Sequence, residues 1–183
     1  MRVVSGRFGG RRLQAPGGRG TRPTSDRVRE ALFSTLGPLE GAAVLDLFAG
    51  SGALAIEALS RGAARAVLVE RDARAAAVIR ANLDLLGVGE DEALLVRAPA
   101  RTALRDARER GDTYDLVFLD PPYRSAAELG RELSEALPPV LSAGARVVSE
   151  SDRRTPLELD LPLVHERRYG DTLIRIHHTT HDA

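Results

Sequence analysis

Val44-Leu-Asp-Leu-Phe-Ala-Gly-Ser-Gly52 reads as a buried strand that breaks at a glycine-rich turn and opens a helix over residues 53–61. Glycine suits such a turn because the backbone must bend sharply and a ligand must approach it more closely than a Cβ allows. The same alternation recurs downstream. Short apolar runs at 43–47, 66–70, 93–97, 116–119 and 145–150 have the character of strands covered on both faces, and 53–61, 73–86, 99–109 and 126–137 have helical periodicity. Repeated βαβ units predict an α/β fold: a Rossmann-like, mostly parallel sheet, helices on both faces, right-handed crossovers. Residues 163–169, a turn at Gly170-Asp171 and 172–177 close it as a C-terminal antiparallel hairpin, bringing the expected sheet to seven strands.

Upstream, 2–5 and 11–14 are β-like stretches joined by glycines, which predicts a small N-terminal β-hairpin extension. Residues 1–23 are expected to form a basic hairpin and mobile arm, and 24–183 a single Rossmann-like domain. Between them, Pro23-Thr24-Ser25-Asp26 offers capping residues to a helix whose expected inner face is Val28, Ala31, Leu32, Thr35 and Leu36, ending at Gly37-Pro38.

With 183 residues and 43% hydrophobic content, one core is expected. The absence of cysteine removes disulfide scaffolds, thiolate zinc sites and thiol nucleophiles, and fits a cytoplasmic location. No apolar run approaches the ~20 residues of a membrane span, and the first residues lack a signal-peptide core. All 26 basic residues are arginine, which coding bias explains, and they balance 26 acids. The balance hides an asymmetry: residues 1–36 hold eight Arg against Asp26 and Glu30, a net +6, leaving −6 on the rest. A basic head on an acidic body is the distribution of a polyanion-binding appendage.

The glycine turn alone fits either a dinucleotide or S-adenosylmethionine, with Glu70 at the end of the second strand in the place of a ribose-binding acid. Asp46 favours the second. A carboxylate at the strand's end repels a pyrophosphate but suits the sulfonium and ammonium groups of the methyl donor. Asp120-Pro121-Pro122-Tyr123 then follows a hydrophobic strand, at the carboxyl end where open α/β sheets place ligands. The two prolines stiffen the loop and donate no hydrogen bond, so it presents acceptors. An exocyclic amine on a planar base can donate to Asp120 and the Pro121 carbonyl while Tyr123 stacks on the ring.

Taken together, these motifs resemble the amino-methyltransferase branch of the class I S-adenosylmethionine-dependent enzymes. Arg2-Val-Val-Ser-Gly-Arg7, Gly10-Arg-Arg-Leu13, Arg22-Pro-Thr24, Asp26-Arg-Val-Arg-Glu-Ala-Leu-Phe33 and Tyr169-Gly-Asp-Thr172 resemble more narrowly the RsmD family of small-subunit ribosomal RNA guanine-N2 methyltransferases. The resemblance implies a class I methyltransferase fold with S-adenosylmethionine held by Asp46, Phe48, Ala49, Gly50, Ser51, Gly52, Glu70 and Arg71. It implies a catalytic loop of Asp120, Pro121, Pro122 and Tyr123, and substrate contacts from Arg7, Arg11, Arg12, Arg22, Thr24 and Arg29. For Thr24 and Arg29 a helix cap and a solvated helix face are equally ordinary roles. The implied partner is ribosomal RNA or a small-subunit assembly intermediate, and a monomer without metal is expected.

Where many related enzymes carry an acid or amide for the donor adenine, this chain reads Arg97-Ala-Pro-Ala100, so the adenine contact stays unassigned. His177-His178-Thr-Thr-His181 reads as a frayed tail rather than a metal site. Ser51 lacks the Gly-x-Ser-x-Gly setting of a hydrolase nucleophile. Two other functions remain open: adenine N6 or cytosine N4 methylation of DNA or another RNA, and a non-catalytic RNA-binding assembly factor.

Overall fold

A computed structural model describes residues 1–17, 25–121 and 126–179. Its strands β1 (Ala43–Asp46), β2 (Arg65–Val69), β3 (Ala93–Val96), β4 (Tyr114–Leu119), β5 (Leu141–Asp152), β6 (Leu163–Tyr169) and β7 (Thr172–His178) form one sheet in the order β3-β2-β1-β4-β5-β7-β6. The first five run parallel, and β7 is antiparallel to both β5 and β6. Thus the second strand of the closing hairpin, not the first, joins the parallel sheet. Hydrophobicity explains the choice: Leu173, Ile174 and Ile176 of β7 are buried, whereas His165-Glu-Arg-Arg168 makes β6 a charged strand fit for an edge.

Helices α1 (Asp26–Leu36), α2 (Ala53–Ser60) and α3 (Ala73–Leu86) cover one face, with Leu32, Phe33, Ile56 and Ile79 packed on Val44, Leu68, Leu116, Phe118 and Val148. Helices α4 (Ala100–Arg110) and α5 (Ala126–Ala136) cover the other, with Leu104 and Leu133 on Leu45, Val67, Val117 and Val147. Each such side chain contributes roughly 1.5–3 kcal/mol on leaving water. The doubly wound sheet expected from the alternation is therefore the observed fold. No helix among the described residues is long and apolar enough to cross a membrane.

The inner face of α1 is rotated from the expected one. Arg29, Leu32, Phe33 and Leu36 are buried, while Val28 and Ala31 are half-buried and Thr35 is exposed. The Phe33 ring, 5.8 Å from that of Phe118, sets the rotation. Arg29 follows it inward, which removes the solvated face as the alternative to its expected substrate contact: its guanidinium donates to the Arg2 carbonyl and to Asp26 at 2.8 Å. Ser25 is the N-cap, accepting from the Val28 amide; Thr24 lies outside the described residues.

The N-terminal hairpin forms, with Arg2 bridged to Arg12 and the Val3 amide donating to Arg11. It lies flat on the domain rather than projecting: Val3 and Leu13 belong to the main core. The buried Glu57 carboxylate of α2 accepts from the Val4 and Ser5 amides at 2.7 and 3.0 Å, and Arg61 balances its charge at 2.7 Å. Gly6 sits at φ 80° so close to Ser60 that a Cβ would meet the Ser60 carbonyl oxygen at 1.7 Å, which only glycine avoids. At the other end of the chain His177 is not part of a frayed tail. It is buried within β7 and hydrogen-bonds the Leu161 carbonyl through Nδ1 at 3.0 Å, and burial lowers its pKa.

Candidate active site

Strand alternation collects four carboxyl groups on one face of the sheet, at the carboxyl ends of its parallel strands. Val44, Leu68, Phe118 and Val148 are core residues of the face covered by α1, α2 and α3. Two residues further along each strand stand Asp46, Glu70, Asp120 and Glu150, and the period of two keeps them on that same side. The register Asp46↔Phe118 and Phe118↔Val148 makes β1, β4 and β5 immediate neighbours there. Helix α1 runs antiparallel to these strands. Its last residue takes a hydrogen bond from Arg146, at the level of Leu116, while Phe33 meets Phe118. Arg29, one turn earlier and 1% exposed, therefore lies toward the Asp120 and Glu150 end.

Asp46 is 1% exposed, and its Oδ1 has no hydrogen-bond partner among the described residues. Burial pushes its carboxyl up to about 7, the charge of Glu70 adds to the rise, and the backbone amides of Ala55 and Phe48 oppose it. A buried carboxyl oxygen left without a donor is costly, and a cationic ligand would relieve the cost. Gly50 has φ 56°, and a Cβ there would meet nothing nearer than the Phe48 carbonyl oxygen at 3.9 Å, which leaves room for a ligand to lie against the turn. Gly52 serves packing instead: its Cβ would press on Leu68 at 3.0 Å, beneath the start of α2. These features fit a compact, cationic small molecule such as the methyl donor.

Glu70 braces the turn by accepting from the Gly50 amide at 2.9 Å and the Asp72 amide at 2.8 Å, one through each oxygen. Each carboxylate oxygen keeps a further lone pair for a ligand hydroxyl. Ala49 and Ser51 are buried in the turn, Phe48 is half-buried against the opposite core, and Arg71 is exposed.

Asp120 follows β4 directly and Pro121 is buried. Desolvation holds the Asp120 carboxyl well above the usual range, and the charges of Glu150 and then Asp46 add to the rise. Pro122 and Tyr123 lie outside the described residues, as does Arg22.

Of the basic residues of the hairpin, Arg7 is held away from this site. The Arg7 amide donates to the Ser60 carbonyl and its side chain pairs with Glu92, while Arg11 donates to the Leu85 carbonyl at 3.0 Å. Ser60 ends α2, so the Arg7 contact sits a helix length, roughly 12 Å, from the glycine turn. Arg12 is exposed and bridged to Arg2.

Two residues of this region escaped the sequence reasoning. Glu150, 7% exposed, closes the apolar run 145–150, and its position two residues beyond Val148, matching Asp120 beyond Phe118, is the signal that places it here. Asn82, in α3, belongs to no motif and no spacing singles it out, yet it is fully buried.

The family model described as "Conserved hypothetical protein 95" matches residues 1–178. The chain belongs to that family. It is the RsmD family that the motifs resemble. Similar to it is the Bacillus subtilis protein named "Putative rRNA methyltransferase YlbH", 38% identical over 186 residues, covering 97% of this chain and 98% of that one. "Ribosomal RNA small subunit methyltransferase D" of Escherichia coli is 44% identical over 125 residues, 68% of this chain and 61% of the relative. Among solved structures, "Putative methyltransferase yhhF" from Escherichia coli superposes with a TM-score of 0.82 at 36% identity, covering 98% of each chain. Within the RsmD family, then, the sheet order is that of a Rossmann-like class I methyltransferase fold.

Proposed function

We propose that the chain transfers a methyl group from S-adenosylmethionine to the exocyclic N2 amine of a guanine in small-subunit ribosomal RNA. The observation that carries this reading is the placement of Asp120, followed by Pro121, beside a glycine turn whose Asp46 has a buried oxygen in need of a positive partner. When bound, the donor supplies an activated methyl on a sulfonium. Asp46 and the turn hold its charged end, and Glu70 accepts from its ribose. Asp120 and the Pro121 carbonyl accept from the two N–H bonds of the target amine, which turns the nitrogen lone pair toward the methyl. The amine becomes acidic on methylation, so no strong base is needed. A base reaching this pocket must leave its stack, which costs least in a loop or at a helix end. Ribosomal RNA follows from the names of the relatives, and the guanine amine from the RsmD resemblance.

Incubation with isotopically labelled donor and undermodified small subunits, followed by nucleoside mass spectrometry, tests donor, base and position together. Label in N2-methylguanosine is expected; label in N6-methyladenosine or N4-methylcytidine would replace guanine with another amino base, and donor binding without any transfer would favour an assembly factor.

The hairpin arginines offer a second, electrostatic test of the RNA partner. Replacing Arg7, Arg11 and Arg12 with Gln should lower affinity for RNA and flatten the log–log salt dependence by about 0.7–0.9 per contacting side chain, with donor affinity unchanged. Equal slopes for variant and parent, measured by filter binding across a salt series, would take this edge off the RNA.

A further inference from the structure

Asn82 is a fully buried amide whose hydrogen bonds join two segments far apart in sequence. Its Nδ2 donates to the Ser51 carbonyl at 2.9 Å and to the Gln14 carbonyl at 3.1 Å, and its Oδ1 accepts from the Gln14 amide at 2.8 Å. Both donors are used and the oxygen is engaged, so the side chain is fixed in one orientation. Ser51 lies between the two left-handed glycines of the turn, where the backbone has the least intrinsic stiffness of any stretch around the site. Its side chain leans on the N-terminus as well, with Oγ 3.4 Å from the Met1 sulfur. Beneath the same turn, Ile79, one helical turn before Asn82, packs where a Gly52 Cβ would be.

We propose that Asn82 is a positioning residue for the donor site: it fixes the Gly50–Gly52 turn in the ligand-ready shape, and the base of the N-terminal hairpin, through Gln14, fixes Asn82. The hairpin thereby completes the donor pocket from behind, a role distinct from any contact its arginines make with RNA. The physical logic is preorganisation. A turn containing two glycines loses much conformational freedom when a ligand orders it, and a clasp that has already ordered it removes that loss from the binding step. The inference rests on the donor reading of the turn.

Asn82→Ala releases the Ser51 carbonyl, and Gln14→Pro removes the amide that Asn82 Oδ1 accepts while leaving the bond to Ser51 in place. Calorimetry with S-adenosylmethionine on the full chain should show donor Kd raised about tenfold in Asn82→Ala and by a smaller factor in Gln14→Pro. At saturating donor, kcat and the KM for RNA should stay close to the parent. Hydrogen exchange should show the Gly52 amide, which donates to the Ala49 carbonyl at 2.6 Å, losing protection in Asn82→Ala before the rest of the sheet does. A folded Asn82→Ala that binds donor like the parent would overturn the proposal and leave Asn82 a packing residue. Should that variant not fold, an unchanged donor Kd in Gln14→Pro overturns it instead. A parent chain that binds no S-adenosylmethionine at all would mark the failure of the donor reading itself, a separate result.

Discussion

Asp120→Ala is expected to lower kcat by about 100-fold or more while donor Kd stays within a few-fold of the parent. The asymmetry follows from when the carboxyl group matters. A neutral amine in the ground state loses one of two acceptors when Asp120 is truncated, a modest loss in a pocket that Pro121 still lines. As the nitrogen forms its new bond it becomes positively charged, and the acceptor beside it then contributes most, so the loss falls on the transition state. A factor of 100 corresponds to about 2.7 kcal/mol, within the usual cost of removing one preorganised partner of a developing charge. Asp120→Asn retains an acceptor and should fall between the two. Single-turnover kinetics with saturating donor, paired with calorimetry, separate the steps. A variant turning over at the parent rate would remove Asp120 from the chemistry, and a loss carried wholly by donor affinity would move it to the donor side.

The second large effect is expected at Asp46, and its signature is in pH. With the carboxyl of the donor-free protein titrating at about 7, the group is largely protonated in mild acid. A cationic donor selects the ionised form, so its affinity should fall about tenfold per pH unit below 7 and level off above it. Asp46→Asn should weaken donor binding by roughly 1–3 kcal/mol at pH 8 and abolish the acid limb. Stability of the donor-free chain should run the opposite way. Between pH about 4 and 7 the folded state keeps a proton that the unfolded chain has already released, so this contribution is complete at low pH and disappears as pH rises through 7. Asp120, whose carboxyl is also raised, adds in the same direction, with Glu70 and Glu150 facing the same space. Thermal melts at pH 5.5 and 8 should therefore show the parent losing more Tm on the alkaline side than Asp46→Asn does. A pH-independent donor Kd would mean that Asp46 does not face the donor's charge.

Much of this was legible in the chain because strand-end chemistry follows from local pattern. Asp46 and Glu70 could be placed by counting from the glycine turn, and Asp120 by the apolar run before it. What escaped depended on pairing between distant segments. The buried face of α1 was set by Phe33 meeting Phe118, a contact that helical periodicity cannot contain. Asn82 acquires its role only when Gln14 and Ser51 arrive from opposite directions, and neither spacing points to it. The order of the closing hairpin was likewise a competition between two strands for one sheet edge, decided by which could bear burial.

That competition also governs how the chain is made. Because β7 lies between β5 and β6, the outer edge of β5 has no native partner until residues 172–178 have left the ribosome. Twelve residues of β5, with Val147, Val148 and most of the stretch after them buried in the finished molecule, wait as an open strand while the intervening segment is synthesised. At about 5–20 residues per second the wait lasts on the order of seconds, long enough for an exposed apolar edge to recruit another nascent chain or a chaperone. Truncation within the last strand is thus a recipe for aggregation rather than for a slightly smaller protein.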